Sequence, residues 1–171
     1  AIALFASTSP MKTAFGQPGL KHEPFAFESA SKALSALRSR DVSAHELTRL
    51  CLDRIAATSD SINAVASLRE EQALAEAKRI DDARAAGDAL GPLAGLPVTL
   101  KESFNVKGLP TVWGNPDFPS TPAQEHSAVA ERLCAAGAII LGKTNASLML
   151  ANWDSENPVY GRTSNPWNLD R

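Results

Sequence analysis

From residue 25 to residue 86 the chain holds neither glycine nor proline, and its apolar positions recur every three or four residues. That is the helical period, because roughly 3.6 residues complete a turn. Ala30, Ala33, Leu34 and Leu37 share one face of a helix expected over about 27–38. Ser43 and Glu46 stand at capping-box spacing, ahead of a stripe of Leu47, Leu50, Cys51 and Ile55. Ser67 and Glu70 repeat that spacing and predict a third helix, ending at Gly87, a residue suited to the left-handed C-terminal cap. Within it Asp81 and Asp82 read as a solvated face, since adjacent positions diverge on a helix.

Beyond Gly87 the period shortens. Val98-Thr99-Leu100 is a short apolar run that ends in Lys101. Ala138-Ile139-Ile140-Leu141 is β-branched and bounded by Gly137 and Gly142, as a buried strand should be. Between them Thr121-Pro122-Ala123-Gln124 predicts a capped helix start with proline in the first turn. The helix that follows should present Val129, Leu133 and Cys134 and stop at Gly137. Strand, helix, strand in that order predicts α/β layering, with a right-handed crossover if the strands are parallel.

Composition narrows the classes. With 171 residues, 44% of them hydrophobic, the chain has material for one core and one domain. Residues 1–24 read as an N-terminal extension, non-native or disordered, and 25–171 as the N-terminal part of a single domain. Lys plus Arg total 17 and Asp plus Glu 19, a balance that lacks the basic footprint of a nucleic-acid binder. No apolar stretch approaches the ~20 residues of a membrane span, so no membrane partner is expected. Cys51 and Cys134 stand far apart in the chain, outside any metal-ligand spacing, and no histidine joins them. They read as small core residues of a cytoplasmic protein with no metal and no cofactor.

Two lysines draw attention. Gly137 to Thr144 spells G-x-x-x-x-G-K-T, the spacing of a phosphate-binding loop. Such a loop follows a strand and leaves its amides free, whereas here the intervening Ala, Ile, Ile and Leu are strand material preceded by a helix. No nucleotide site is therefore expected at Lys143. Lys101 is the stronger candidate, because side chains at the carboxyl ends of strands in open α/β sheets face the ligand crevice. His126 reads as a surface residue, and Asn145-Ala146-Ser147, though spelled as a glycosylation acceptor, means little without a secretory signal.

Several blocks in order now resemble the amidase signature family: Gly91-Pro-Leu-Ala-Gly-Leu-Pro-Val-Thr-Leu-Lys101-Glu, Val106-Lys-Gly108 with Thr111 and Gly114, Ala135 to Asn145, and Glu156-Asn-Pro-Val-Tyr-Gly161 through Asn165-Pro-Trp167. The resemblance covers about 27–171. It implies an α/β/α sheet of which this chain holds the N-terminal helices, the first strands and one helix, truncated before the rest. It also implies a hydrolase that cleaves carboxamide C–N bonds through a Ser–cis-Ser–Lys triad. Lys101 falls on the catalytic lysine, which has to be held neutral to accept a proton relayed from the nucleophilic serine through the second serine. The loop after Asn145 would line the acyl pocket, with Leu150 as its wall and Lys143 supporting that loop. The expected partner is a small-molecule amide, with no nucleic acid, and a homodimer is one assembly open to the parent.

Against the family pattern, Glu102 stands where many members have Asp, Leu148 where many have an acidic residue, and Trp113 where a small residue is usual. The family's Gly/Ser-rich run, which carries both serines, does not occur in the 171 residues, and Ser103, Ser147, Ser155 and Ser164 do not sit in such a motif. The chain is thus expected to be a fragment of an amidase, inactive by itself. An amide-transfer protein that works on misacylated tRNA is the alternative in the same family. Lys101-Glu-Ser-Phe-Asn and Val112-Trp-Gly114 favour a stand-alone amidase. A non-catalytic binding fragment is the alternative from another class.

Overall fold

The computed structural model describes Phe25 and residues 28–170, so the expectation for 1–24 lies outside the described residues. Helices α1 (Ala30–Ser39) and α2 (Ala44–Ile62) lead into strand β1 (Val65–Leu68) and helix α3 (Glu70–Ala86). Strand β2 (Pro97–Lys101), helix α4 (Ala128–Ala135) and strand β3 (Ile139–Thr144) follow. A 3₁₀ turn at Leu148–Leu150 precedes a short hairpin of β4 (Glu156–Asn157) and β5 (Gly161–Arg162). Among the described residues no helix is long and apolar enough to cross a membrane.

The main sheet has the order β1–β3–β2. β2 runs parallel to β3, with α4 in the connection between them, and β1 runs antiparallel on the other side. Successive side chains of the central strand point to opposite faces. Ile139 and Leu141 pack with Leu37, Leu47, Leu52, Ala73 and Ala77 of α1–α3. Ile140 packs on the other face with Leu100, Val106, Leu109 and Ala130, beside Leu133 and Cys134. Helices therefore cover both faces, the α/β class expected from the sequence, and a strand buried on both sides reads as a continuous apolar run.

The capping box at Ser43 and Glu46 forms as expected, with the serine hydroxyl accepting from the Glu46 amide and the glutamate accepting from the Ser43 amide. Three expectations need correction. Ser67 caps no helix, because it lies in β1 opposite Lys143, and the Arg69 amide donates to Leu141 O across the sheet. Strand pairing has displaced the cap, and α3 opens at Glu70 with no side-chain cap at Arg69. The helix expected at Thr121 starts only at Ala128, capped by Ser127. The segment before it instead exchanges backbone bonds with the turn after β2, Gly108 N to Ala123 O and Ala123 N to Leu109 O. Asp81 is not a solvated carboxylate: it accepts from the amides of Ala44 (2.8 Å) and His45 (2.9 Å), so α3 caps the first turn of α2. A carboxylate is the favoured partner for those unpaired amides at the positive end of the helix dipole.

The phosphate-loop spelling resolves here. Gly142 faces Leu68 of β1 and Thr99 of β2, so the Gly-Lys-Thr segment is paired within the sheet on both sides. A Cβ at Gly142 would run into the Ser67 carbonyl oxygen. The glycine is there because β1 approaches closely at its bulge, and no phosphate is needed to explain it.

Candidate active site

β2 delivers Lys101 at its carboxyl end, opposite Thr144 of β3. Its side chain is exposed and has no hydrogen-bond or ionic partner among the described residues. The chain turns immediately afterwards. Glu102 N donates to Thr144 O at 2.9 Å and Phe104 N to Lys101 O at 3.0 Å, which fixes the backbone on either side of the lysine.

Glu102 is fully buried, and so is Lys143. The two oxygens of Glu102 divide the work. Oε1 accepts from Val112 N at 2.7 Å and from the Tyr160 hydroxyl at 3.3 Å, while Oε2 accepts from Trp113 N at 2.9 Å. The Lys143 ammonium lies 3.7 Å from Oε1 and donates to Pro110 O and, at 2.7 Å, to Thr111 Oγ1. Burial pushes the Lys143 ammonium down to about 8, against the upward pull of the Glu102 charge. Burial, and then the same carboxylate, pushes the Tyr160 phenol up to about 12, so it remains a hydrogen donor. Lys143 therefore holds the Pro110–Thr111 segment, not the loop that carries Leu150.

That second loop is tied down by asparagines. Asn145 Nδ2 donates to Gly161 O and Thr163 Oγ1, each at 3.0 Å, and its Oδ1 accepts from Ala146 N (2.9 Å) and Asn157 Nδ2 (2.8 Å). Asn157 Nδ2 also donates to Ala146 O at 2.7 Å, and its Oδ1 accepts from the amides of Val159 and Tyr160. An amide group so enclosed is no glycosylation acceptor. Ser147 is buried, with its hydroxyl donating to Asn152 O.

The segments around Trp113 and Leu150 carry backbone strain. Met149 (φ 51°) and Leu150 (φ 60°) take the left-handed conformation in succession, and Trp113 (φ 54°) does so on the facing loop. Bulky residues there are outliers, costing on the order of 1–3 kcal/mol each, and such outliers gather at functional sites. The two loops are bonded to each other, Met149 N donating to Trp113 O at 2.8 Å and Asn115 Nδ2 reaching Met149 Sδ at 3.7 Å. Leu150 is half-buried, while Trp113, Leu148 and Met149 are exposed.

Lys101 and Leu150, the residues singled out from the sequence, are thus linked through Glu102 and Trp113, which the sequence marked only as departures from the family pattern. Glu102 bonds Trp113, and Trp113 bonds Met149. A signal for Glu102 existed. Period-two alternation puts it on the face of buried Leu100, where an acidic side chain needs partners. Asn145 and Asn157 gave no such signal, since the partners that tie the loop to the hairpin lie 10–18 positions away in sequence. The remaining candidates are inert. His126 is half-buried and its Nδ1 accepts from Lys107 N, while burial pushes the thiols of Cys51 and Cys134 up, away from the reactive thiolate.

An α/β layer with a lysine exposed at the carboxyl end of a parallel strand, next in sequence to a buried carboxylate, suits an enzyme that takes its ligand at the strand ends. The chain belongs to the amidase family, whose model matches residues 46–171. This agrees with the resemblance read from the motifs. Among curated relatives it is similar to a glutamyl-tRNA(Gln) amidotransferase subunit of Thermobifida fusca, 41% identical over 143 residues, with 84% of this chain and 29% of the relative covered. The corresponding protein of a Synechococcus strain is 42% identical over 132 residues, covering 77% and 27%. Among solved structures, the native peptide amidase of Stenotrophomonas maltophilia superposes with a TM-score of 0.79 at 28% identity, over 86% of this chain and 31% of that one. A chain from a vestigial protein complex, described as revealing the origins of an s-triazine catabolic enzyme, gives 0.78 at 36%, over 84% and 32%. The chain spans under a third of the length of these relatives.

Proposed function

We propose that this chain supplies the lysine-bearing part of a site that cleaves a carboxamide C–N bond, with Lys101 as the base and Leu150 in the wall of the acyl pocket. One observation carries the reading: of the two strand-borne lysines among the described residues, Lys143 is buried and committed to Glu102, Pro110 and Thr111, whereas Lys101 has no such partner among those residues and stands at the carboxyl end of a parallel strand. In this mechanism Lys101 Nζ takes the proton that a serine nucleophile gives up through a second serine as the serine attacks the amide carbonyl. It later returns the proton to the departing nitrogen. Substrate class, the two serines and a cytoplasmic location are all part of the proposal.

The test uses a polypeptide of the relatives' full length that carries this sequence. Lys101→Ala should lower kcat on simple amides by at least about 10²-fold with an unchanged melting temperature, as loss of a general base does. Lys101→Arg should not rescue, because a guanidinium does not deprotonate. Near-normal kcat for the arginine variant would make Lys101 a fixed charge and overturn the reading.

Amide transfer is the second reading, favoured by the amidotransferase relatives at 38–42% identity. Glutamine-dependent amidation of glutamyl-tRNA(Gln), in the absence of turnover on free amides, would select it.

A further inference from the structure

Glu102 is fully buried, and its carboxylate accepts from Val112 N, Trp113 N and the Tyr160 hydroxyl, with the Lys143 ammonium 3.7 Å away. It follows Lys101 directly, and its own amide is bonded to Thr144 O, so its position and that of the lysine backbone are one variable. Its carboxylate holds the amides of Val112 and Trp113. From Trp113 the connection continues to Met149 through the bond of Met149 N to Trp113 O, with Asn115 to Met149 Sδ beside it. Gly114, at φ +66°, brings this loop so close to Asn157 that a Cβ there would lie 2.5 Å from the asparagine's own Cβ. The loop 112–115 therefore has little freedom to move independently of Glu102.

We propose that Glu102 is a positioning residue that couples Lys101 to the apolar wall of Trp113, Leu148, Met149 and Leu150, so that it sets acyl-group selectivity together with rate. The inference rests on the reading of Lys101 as the base of an amide-cleaving site. Lys143 and Tyr160 keep the carboxylate in place from behind, Lys143 by charge and Tyr160 by its hydroxyl. An acid at this position suits its neighbours: two backbone amides and a phenol all donate to it, an ammonium stands 3.7 Å away as its counter-charge, and a carboxylate accepts from all three donors while carrying the opposite charge. Glutamine has the same shape, but it offers one acceptor oxygen and turns an NH₂ group toward a backbone amide that also donates. It should release either Val112 or Trp113, and with the latter the wall.

The experiment compares Glu102→Gln, Glu102→Asp and Lys101→Ala in the full-length polypeptide. For each, kcat and KM are measured on linear amides with short and long apolar acyl groups, and melting curves are recorded alongside. Glu102→Gln should lower kcat at least tenfold on every amide and, in addition, lower the long-to-short ratio of kcat/KM at least fivefold. Glu102→Asp keeps the charge but is one methylene short, so it should hold kcat within about tenfold while the ratio still falls. It carries the test if the glutamine variant does not fold. A wild-type ratio in the variants that fold, with activity lost only in proportion to folded protein, would reduce Glu102 to a structural residue and overturn the coupling. Turnover by Lys101→Ala would instead bring down the assignment of the base, an outcome read independently of Glu102.

Discussion

At the scale of single residues, the buried Glu102–Lys143 pair makes stability depend on pH in a direction fixed by its environment. Lys143 in the fold is pushed down to about 8 from an ordinary value of 10.5, so between these limits the unfolded chain binds the proton more tightly. Folding stability then rises with pH across that window. Between pH 7.5 and 9.5 the protein should gain about 2 kcal/mol relative to a Lys143→Met variant, measured by urea unfolding. A flat difference would mean that Glu102 holds the ammonium charged throughout. Tyr160 works in the opposite sense, since a phenol pushed up to about 12 makes stability fall once the pH passes 10. Neither group was legible as a partner of Glu102 from the sequence. Lys143 read as loop support from the family resemblance, and its burial beside Glu102 became visible only with β3 placed between two strands.

At the scale of elements, period and capping located most of the helices and two of the three strands of the main sheet. They failed where a local signal lost to a distant one. Ser67 and Glu70 have the spacing of a cap, but the antiparallel partner that claims Ser67 lies some 75 positions further on and leaves no local trace. Gly142 carries the same lesson in testable form. The sequence spells a phosphate loop around it, a reading that the strand-like residues before it already exclude, and the structure shows the glycine's own reason, a close strand crossing. Gly142→Ala should therefore destabilise by more than about 2 kcal/mol, because the methyl meets backbone that cannot swing aside. Gly87→Ala is the control. It adds a methyl to open space at the end of α3, at φ +83°, and should cost only the ~1–2 kcal/mol of left-handed strain. Denaturant midpoints for the two variants give the comparison, and equal losses would show that β1 yields to the added methyl.

At the scale of the molecule, β1 and β2 form the flanks of the described sheet, and elsewhere Val129 on α4 and Leu148, Met149 and Trp153 after β3 are exposed. Unpaired strand edges and apolar patches favour association. The 171-residue chain expressed alone should self-associate in light scattering and turn over no member of an amide and ester panel, since its sequence holds no Gly/Ser-rich run to furnish a nucleophile. A monodisperse monomer with a cooperative melt would contradict the first expectation, and turnover sensitive to Lys101→Ala the second. The asparagine-bound hairpin adds a constraint in time. Asn63, which closes α2, is held by Thr163 Oγ1 donating to its carbonyl, across 100 positions of sequence. At the ~5–20 residues per second of protein synthesis, that bond cannot form until about 5–20 s after Asn63 has been added. For that interval α2 must keep its last turn without the hairpin that finally fastens it, so this helix end is completed only after most of the chain has been made.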